Sequence, residues 1–188
     1  IMDTTVLYKL NSLYFETGPI RPPSEAYSLL VRATRNCSWN RCSFCPVYKG
    51  QKFELRKAEE IISDIETARI ISDVIKEFGW INGYGDRLRE IAAYVYNQAS
   101  PSDCVRQVAL WQYAGGTSAF LQDANSVIMR TADLVKVLSS LKDRFPSLIR
   151  ITSYCRSKTA AKKSAEEFRE MKAAGLTRIH VGMESGYD

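Results

Sequence analysis

Histidine is almost missing from this chain, whose 188 residues include only one, His180. A zinc site that uses histidine would therefore need His180 itself. The sequence also lacks any apolar run of about 20 residues, the length that spans a membrane as a helix. These two shortages predict a protein without a membrane partner and without the usual paired histidine ligands.

Neither sign of charge dominates, because 26 Lys and Arg are scattered among 21 Asp and Glu, for a net charge of +5. Basic pairs such as Lys162 with Lys163 are expected to lie on solvated helix faces. Nucleic-acid binding is therefore not indicated. Hydrophobic residues make up 45% of the chain and charged residues 25%, as in ordinary globular proteins. We expect a cytoplasmic protein, since a reducing compartment preserves thiols.

Three of the five cysteines lie within nine residues, in the segment Cys37-Ser-Trp-Asn-Arg-Cys42-Ser-Phe-Cys45. Thiolates are soft ligands that suit iron–sulfur clusters and zinc. Three ligands packed this closely can hold three corners of a cubane, and the fourth iron is then open for chemistry. We expect the three sulfur atoms to converge on one point, with Cys104 and Cys155 elsewhere.

Other uses of these cysteines stay open. A structural zinc ion needs four ligands, so His180 or Cys104 would have to fold back onto the loop. An odd cysteine count and a tight cluster argue against a disulfide framework. The alternative function is thus a non-enzymatic metal-binding module, with structural zinc or an electron-carrying iron–sulfur site.

Apolar runs alternate with helical periodicity along the chain. Strands are predicted at residues 27–33, 118–122, 148–153 and 177–182, and helices at 55–71, 88–95, a stretch ending near 111, 131–145 and 159–174. We expect Thr131 to be a helix N-cap and Gly175 to follow a helix end. The prolines in residues 1–25 predict an extended arm. Residues 26–188 are predicted to form an α/β domain, with a parallel sheet in sequential order and helices on its outer face only.

Polar segments follow all four predicted strands. The cysteine loop follows the first, and residues 122–125, 154–156 and 184–186 follow the others. Active sites of parallel α/β folds lie where the carboxyl ends of the strands meet. We therefore expect the four loops to converge on one site. The pair Gly115-Gly116 precedes its strand and is predicted to be a turn.

The cysteine loop resembles that of radical S-adenosylmethionine (SAM) enzymes. Their usual motif has three residues between the first two cysteines and an aromatic residue just before the third. Phe44 occupies that aromatic position here, and the first gap is one residue longer. Residues 120–126 and the Gly-Met-Glu-Ser-Gly segment at 182–186 resemble loops of a poorly characterised subgroup. The resemblance implies a partial (β/α)6 barrel truncated after about strand four, and so an incomplete core domain.

The resemblance also implies cofactors. Cys37, Cys42 and Cys45 would hold a [4Fe–4S] cluster whose open iron binds SAM. An electron from a flavodoxin- or ferredoxin-type donor would cleave SAM to a 5′-deoxyadenosyl radical, which abstracts hydrogen from an unknown substrate. Phe44 would pack beside the adenine of SAM, or else be buried in the core.

Four further residues are implied as SAM contacts. Asp123 and Asn125 would contact the amino and carboxylate groups of SAM, or else stabilise a turn or cap a helix. Arg156 and Glu184 would contact its carboxylate and ribose, or else form a salt bridge at the barrel mouth. All four side chains are expected to point into one cavity with the three cysteines.

Overall fold

Short apolar segments form a four-stranded parallel sheet in the computed structural model, which describes residues 2–98 and 102–182. The strands along the chain are β1 (Leu29–Arg32), β2 (Thr34–Arg35), β3 (Glu54–Leu55), β4 (Ser118–Gln122), β5 (Arg150–Arg156) and β6 (Leu176–Gly182). The sheet has the order β1-β4-β5-β6, and every pair in it is parallel. The predicted parallel pairing and sequential order are confirmed.

Six α-helices connect or follow these strands. They are α1 (Ala58–Ile81), α2 (Leu88–Tyr96), α3 (Asp103–Tyr113), α4 (Thr131–Arg144), α5 (Ser157–Ala160) and α6 (Ala165–Ala173) in the described part of the chain. Within residues 2–98 and 102–182, no helix combines the length and hydrophobicity that crossing a bilayer requires.

Three helix predictions need correction. Helix α1 continues ten residues beyond the predicted end at 71, because Ile75 and Phe78 extend its buried face. Thr131 is the first helical residue of α4 and not its N-cap, a position that Arg130 occupies without a side-chain bond. The predicted helix at 159–174 is two helices, because Ser164 caps α6 through a reciprocal bond with Glu167.

The strands of the sheet present alternate residues to its two faces. One face carries Leu29, Val31 and Leu121, which are buried in a core shared with α1, α3, α4 and α6. On the opposite face, the rings of Phe120, Tyr154 and His180 contact one another edge-on. The helices therefore pack on one face, as predicted.

The second part of the N-terminal arm, residues 18–25, runs along the opposite face. Thr5–Ser12 form a 3₁₀ helix against α1, so the first half of the arm is not extended. The backbone of Gly18 donates to Oε1 of Gln122 at 2.9 Å, and Nε2 of Gln122 donates to the carbonyl of Ile20 at 2.8 Å. The arm then reaches Glu25, which is fully buried beside His180. It thus crosses the sheet from the carboxyl ends of the strands to their amino ends.

Candidate functional site

The three cysteines lie in a long loop at the carboxyl edge of the sheet, and a short pair of strands joins the two ends of this loop. Strands β2 and β3 pair antiparallel and enclose residues 36–53. Asn36 and Asn40 both have positive φ values, 64° and 50°, which asparagine tolerates better than most residues. Nδ2 of Asn36 donates to the carbonyl of Lys52 at 2.6 Å, and Nδ2 of Asn40 donates to that of Tyr48 at 2.5 Å. The two asparagines therefore hold the opposite sides of the loop together.

The three cysteines are half-buried on this loop. Sγ of Cys37 accepts from the backbone N–H of Asn40 at 3.4 Å, and the N–H of Cys45 donates to the carbonyl of Cys42 at 3.4 Å. Among residues 2–98 and 102–182, however, no group of three or more Cys, His, Asp or Glu is arranged to hold a metal ion. A site for a single metal ion is therefore not observed among these residues, and the convergence of the three sulfur atoms around a cluster stays a prediction.

The remaining two cysteines are buried away from the loop. Sγ of Cys104 donates to the carbonyl of Leu13 at 3.6 Å, and Sγ of Cys155 donates to that of Arg156 at 3.3 Å. Neither joins the loop in a metal site within the described residues. The loop thus fits an iron–sulfur cluster in its donor chemistry, three thiols within nine residues, and in its position at the carboxyl edge of the sheet.

Phe44 is exposed between Cys42 and Cys45, with 65% of its surface accessible. The alternative that this ring is buried in the core is therefore wrong. An aromatic ring held in solvent beside the cysteines has an open face for a flat ligand.

Asp123 lies directly after β4 and is completely buried. Its Oδ2 accepts from Nε of Arg32 at 2.8 Å and from the backbone N–H of Asn36 at 3.2 Å. Burial raises the pKa of Asp123, and the Arg32 guanidinium acts in the opposite direction. Asp123 thus ties the first residue of the cysteine loop to the end of β1, a role that neither a turn nor a helix cap describes.

Two neighbours restrict the space around this carboxylate. A side chain at Gly18 would overlap Oδ1 of Asp123, so the arm can pass here only as glycine. The buried phenol of Tyr48 faces Asp123 without a hydrogen bond of good geometry. Burial raises the pKa of Tyr48 well above its usual range, and the Asp123 carboxylate adds to the rise. Asp123 is therefore enclosed by protein and does not face an open cavity.

Asn125 connects the loops that follow three strands. Its Nδ2 donates to Oγ of Ser38 at 3.1 Å and to Oγ1 of Thr159 at 2.9 Å. Its Oδ1 accepts from the backbone N–H of Arg156 at 3.1 Å. Because Asn125 is fully buried, these bonds are shielded from water and fix the cysteine loop against the ends of β4 and β5.

Arg156 contacts the cysteine loop through an aromatic ring. Its guanidinium lies 4.6 Å from the ring centroid of Trp39, and that of Arg41 lies 5.2 Å from the same centroid. No carboxylate within the described residues forms a salt bridge with Arg156. Glu184, the predicted neighbour, lies outside the described residues. Of the four predicted contact residues, Asp123, Asn125 and Arg156 therefore all touch the loop of the cysteines.

A single cavity lined by the predicted SAM contacts together with the three cysteines is not observed among the described residues. A cavity of about 410 Å³ lies at this edge, and its lining includes Trp39 and Arg156. Neither Asp123 nor Asn125 lines it, because both are buried in hydrogen bonds beneath the loops. Three of the four predicted loops thus meet at this edge, and the fourth, residues 184–186, lies outside the described residues. The side chains that face solvent there differ from those predicted.

An ion-pair network beneath the cysteine loop was not predicted from the sequence. Nη1 of Arg32 lies 2.8 Å from Oε1 of Glu16, and Nη2 of Arg35 lies 2.7 Å from Oε2 of Glu16. Nη1 of Arg56 lies 2.7 Å from Oδ2 of Asp64. Although burial opposes the change, these arginines lower the pKa of Glu16. One available signal was Arg32, a charge placed at the end of an apolar strand.

Neither a family model, nor a curated protein, nor a solved structure matches this chain. Any functional assignment therefore depends on the residues and geometry described above.

Proposed function

We propose that this chain is a radical SAM enzyme in which Cys37, Cys42 and Cys45 are the three ligands of a [4Fe–4S] cluster. The observation that carries the proposal is the position of the cysteine loop. It lies at the carboxyl edge of a sequentially ordered parallel sheet, where the residues following β4 and β5 contact it. When bound, the cluster and SAM would supply one-electron cleavage of SAM and hydrogen abstraction from a substrate.

The chain's own residues would position and shield that chemistry. Asn125 holds the loop at Ser38, and Asp123 holds its first residue through the N–H of Asn36. We assign Asp123 and Asn125 as positioning residues on this basis. Phe44 is exposed where it could cover an adenine ring, and Glu184 remains a predicted SAM contact.

The finer fold belongs to the same proposal. Strands β1, β4, β5 and β6 would correspond to the first four strands of a (β/α)6 barrel, with the helices outside. A flavodoxin- or ferredoxin-type protein would deliver the electron, and a cytoplasmic location would keep the thiols reduced.

Anaerobic reconstitution with iron and sulfide tests this function. We expect a broad absorption band at about 400 nm and an electron paramagnetic resonance signal that changes when SAM is added, because one iron has no cysteine ligand. Cys42→Ala should lose both the band and SAM cleavage. Cys104→Ala is the matched control and should keep both, since its thiol is buried against Leu13.

Two outcomes would contradict the proposal. SAM cleavage that survives in Cys42→Ala would show that the loop does not bind the cluster. A colourless protein that binds one zinc ion would favour the non-enzymatic metal-binding module instead.

A further inference from the structure

The cavity of about 410 Å³ at the carboxyl edge of the sheet is the feature that carries a further inference. It lies between the cysteine loop, the segment after β4 and the region from β5 to α6. Its volume falls within the range of sites that bind small molecules, roughly 300–1,000 Å³. Asn125 fixes two of its walls, because it bonds the hydroxyls of Ser38 and Thr159. The cavity is thus built by hydrogen-bonded loops.

Positive charge dominates this cavity. Four cationic side chains and one carboxylate line it, which gives a net charge of +3: Arg156, Lys158, Lys162, Lys163 and Glu167. Nζ of Lys163 lies 3.1 Å from Oε1 of Glu167, so the single carboxylate is already paired. Bonds from Thr131, the N–H of Ser164 and Lys163 lower the pKa of Glu167 to about 2. Glu167 is therefore ionised throughout the neutral pH range, and the net charge of the cavity lining stays at +3.

The other three cations have no carboxylate to neutralise them among the described residues. Within residues 2–98 and 102–182, the guanidinium of Arg156 makes a cation–π contact with Trp39 and no salt bridge, and the ammonium groups of Lys158 and Lys162 form no salt bridge either. Like charges around one cavity repel each other, and an anion placed between them removes that repulsion. The cavity thus favours an anionic ligand.

SAM is not the ligand that this charge favours. Its sulfonium and ammonium groups outnumber its single carboxylate, so SAM is itself a cation. A phosphate monoester carries close to two negative charges at neutral pH, and lysine and arginine are the side chains that bind phosphate oxygens best. Trp39 and Ile128 supply apolar walls against which a ring attached to the phosphate could pack.

We propose that this cavity binds the phosphate group of a small phosphate monoester, with Arg156, Lys158 and Lys162 as the contacting cations. The inference does not depend on the cluster, because none of the three cysteines lines the cavity. If the chain is a radical SAM enzyme, the phosphate ester is its substrate or part of it.

Isothermal titration calorimetry of the full chain, purified without iron, tests the site. The probes are adenosine 5′-monophosphate, adenosine, inorganic phosphate and SAM. We expect the monophosphate to bind at least about tenfold more tightly than adenosine, to be displaced by inorganic phosphate, and to weaken as salt is added. SAM should not displace it.

Charge reversal identifies the contacting residues. The double variant Lys158→Glu with Lys162→Glu should weaken binding of the monophosphate by more than about tenfold, because each change replaces attraction by repulsion. The control is Lys172→Glu with Lys136→Glu, which makes the same change in net charge at two residues that do not line the cavity. That control should stay within about twofold of the wild type.

Three results would overturn the inference: equal affinity for adenosine and its monophosphate, an equal loss in the control double variant, or an affinity for an RNA oligonucleotide tenfold above that for the monophosphate. Because the measurement uses iron-free protein, failure to form a cluster leaves it unaffected. Failure of phosphate binding likewise leaves the reconstitution result intact.

Discussion

At the scale of single residues, Asp123 determines how the cysteine loop is attached to the sheet. Its carboxylate is fully buried against Arg32, whose side chain is only 15% exposed. Replacing Asp123 by Asn keeps the shape of the side chain and leaves the guanidinium without this counter-charge. Because Arg32 keeps its ion pair with Glu16 at 2.8 Å, we expect the free energy of unfolding to fall by about 1–2 kcal/mol, measured by urea denaturation.

A surface ion pair provides the control for that change. Arg69 and Asp73 form an exposed i,i+4 pair on α1, with side chains 35% and 48% accessible. Asp73→Asn should cost less than about 0.5 kcal/mol. Equal losses in Asp123→Asn and Asp73→Asn would show that burial adds nothing to the Asp123 pair.

The sequence located Asp123 and Asn125 correctly but did not reveal their partners. A polar residue after an apolar strand predicts a position at the carboxyl edge, and both residues lie there. Their partners are distant in sequence: Arg32 lies 91 positions before Asp123, and Ser38 lies 87 positions before Asn125. Spacing within one loop carries no information on such contacts, so a direct ligand contact and a positioning role could not be distinguished.

At the scale of elements, the start of α6 is stabilised by an ionised side chain. Glu167 accepts from the N–H of Ser164 at 2.8 Å and lies 3.1 Å from Nζ of Lys163. The folded-state pKa of Glu167, about 2, is below the ordinary value of 4.5. Its stabilising effect is therefore complete above pH 4.5 and is lost as the pH falls from there towards 2.

This difference predicts a pH-dependent effect of Glu167→Gln. The variant should unfold at a lower temperature than the wild type at pH 6, and the gap should narrow as the pH is lowered from 4.5 towards 2.5, as followed by circular dichroism. Glu166→Gln, on the same first turn, should follow the wild type. A gap that is constant with pH would contradict a role for the charge of Glu167.

The ends of the strands and helices show which local sequence signals were sufficient to predict secondary structure. The four strands of the parallel sheet were predicted to within a few residues, because apolar runs bounded by polar loops are typical of buried strands. The two-residue strands β2 and β3 were not predicted, since neither contains an apolar run. The break before α6 was missed, although Ser164 and Glu167 have the spacing of a capping box. The arm's 3₁₀ helix at Thr5–Ser12 forms by packing on α1, and the neighbouring prolines gave no sign of it.

At the scale of the whole molecule, the alternation of strands and helices was enough to predict the sheet. Once parallel strands in sequential order are assumed, the loops that follow them must emerge at one edge, and the three such loops in the described residues are in contact there. The shape of the site could not be predicted in the same way. It depends on which side chains the loops bury and which they leave facing solvent, and those choices follow from contacts between all three loops.

The arm also has a consequence for how the chain reaches this structure. The bond between Glu25 and His180 joins residues 155 positions apart, and Glu25 also lies 3.2 Å from Nη2 of Arg150. These contacts cannot form until β5 and β6 have joined the sheet, so the arm should dock last, after the rate-limiting step of a slow, non-local folding reaction.

Glu25→Gln should therefore leave the refolding rate unchanged. A loss of about 2 kcal/mol would then accelerate unfolding by roughly 30-fold, as measured by stopped-flow mixing. Slower refolding in this variant would instead place the arm among the first parts of the chain to become ordered.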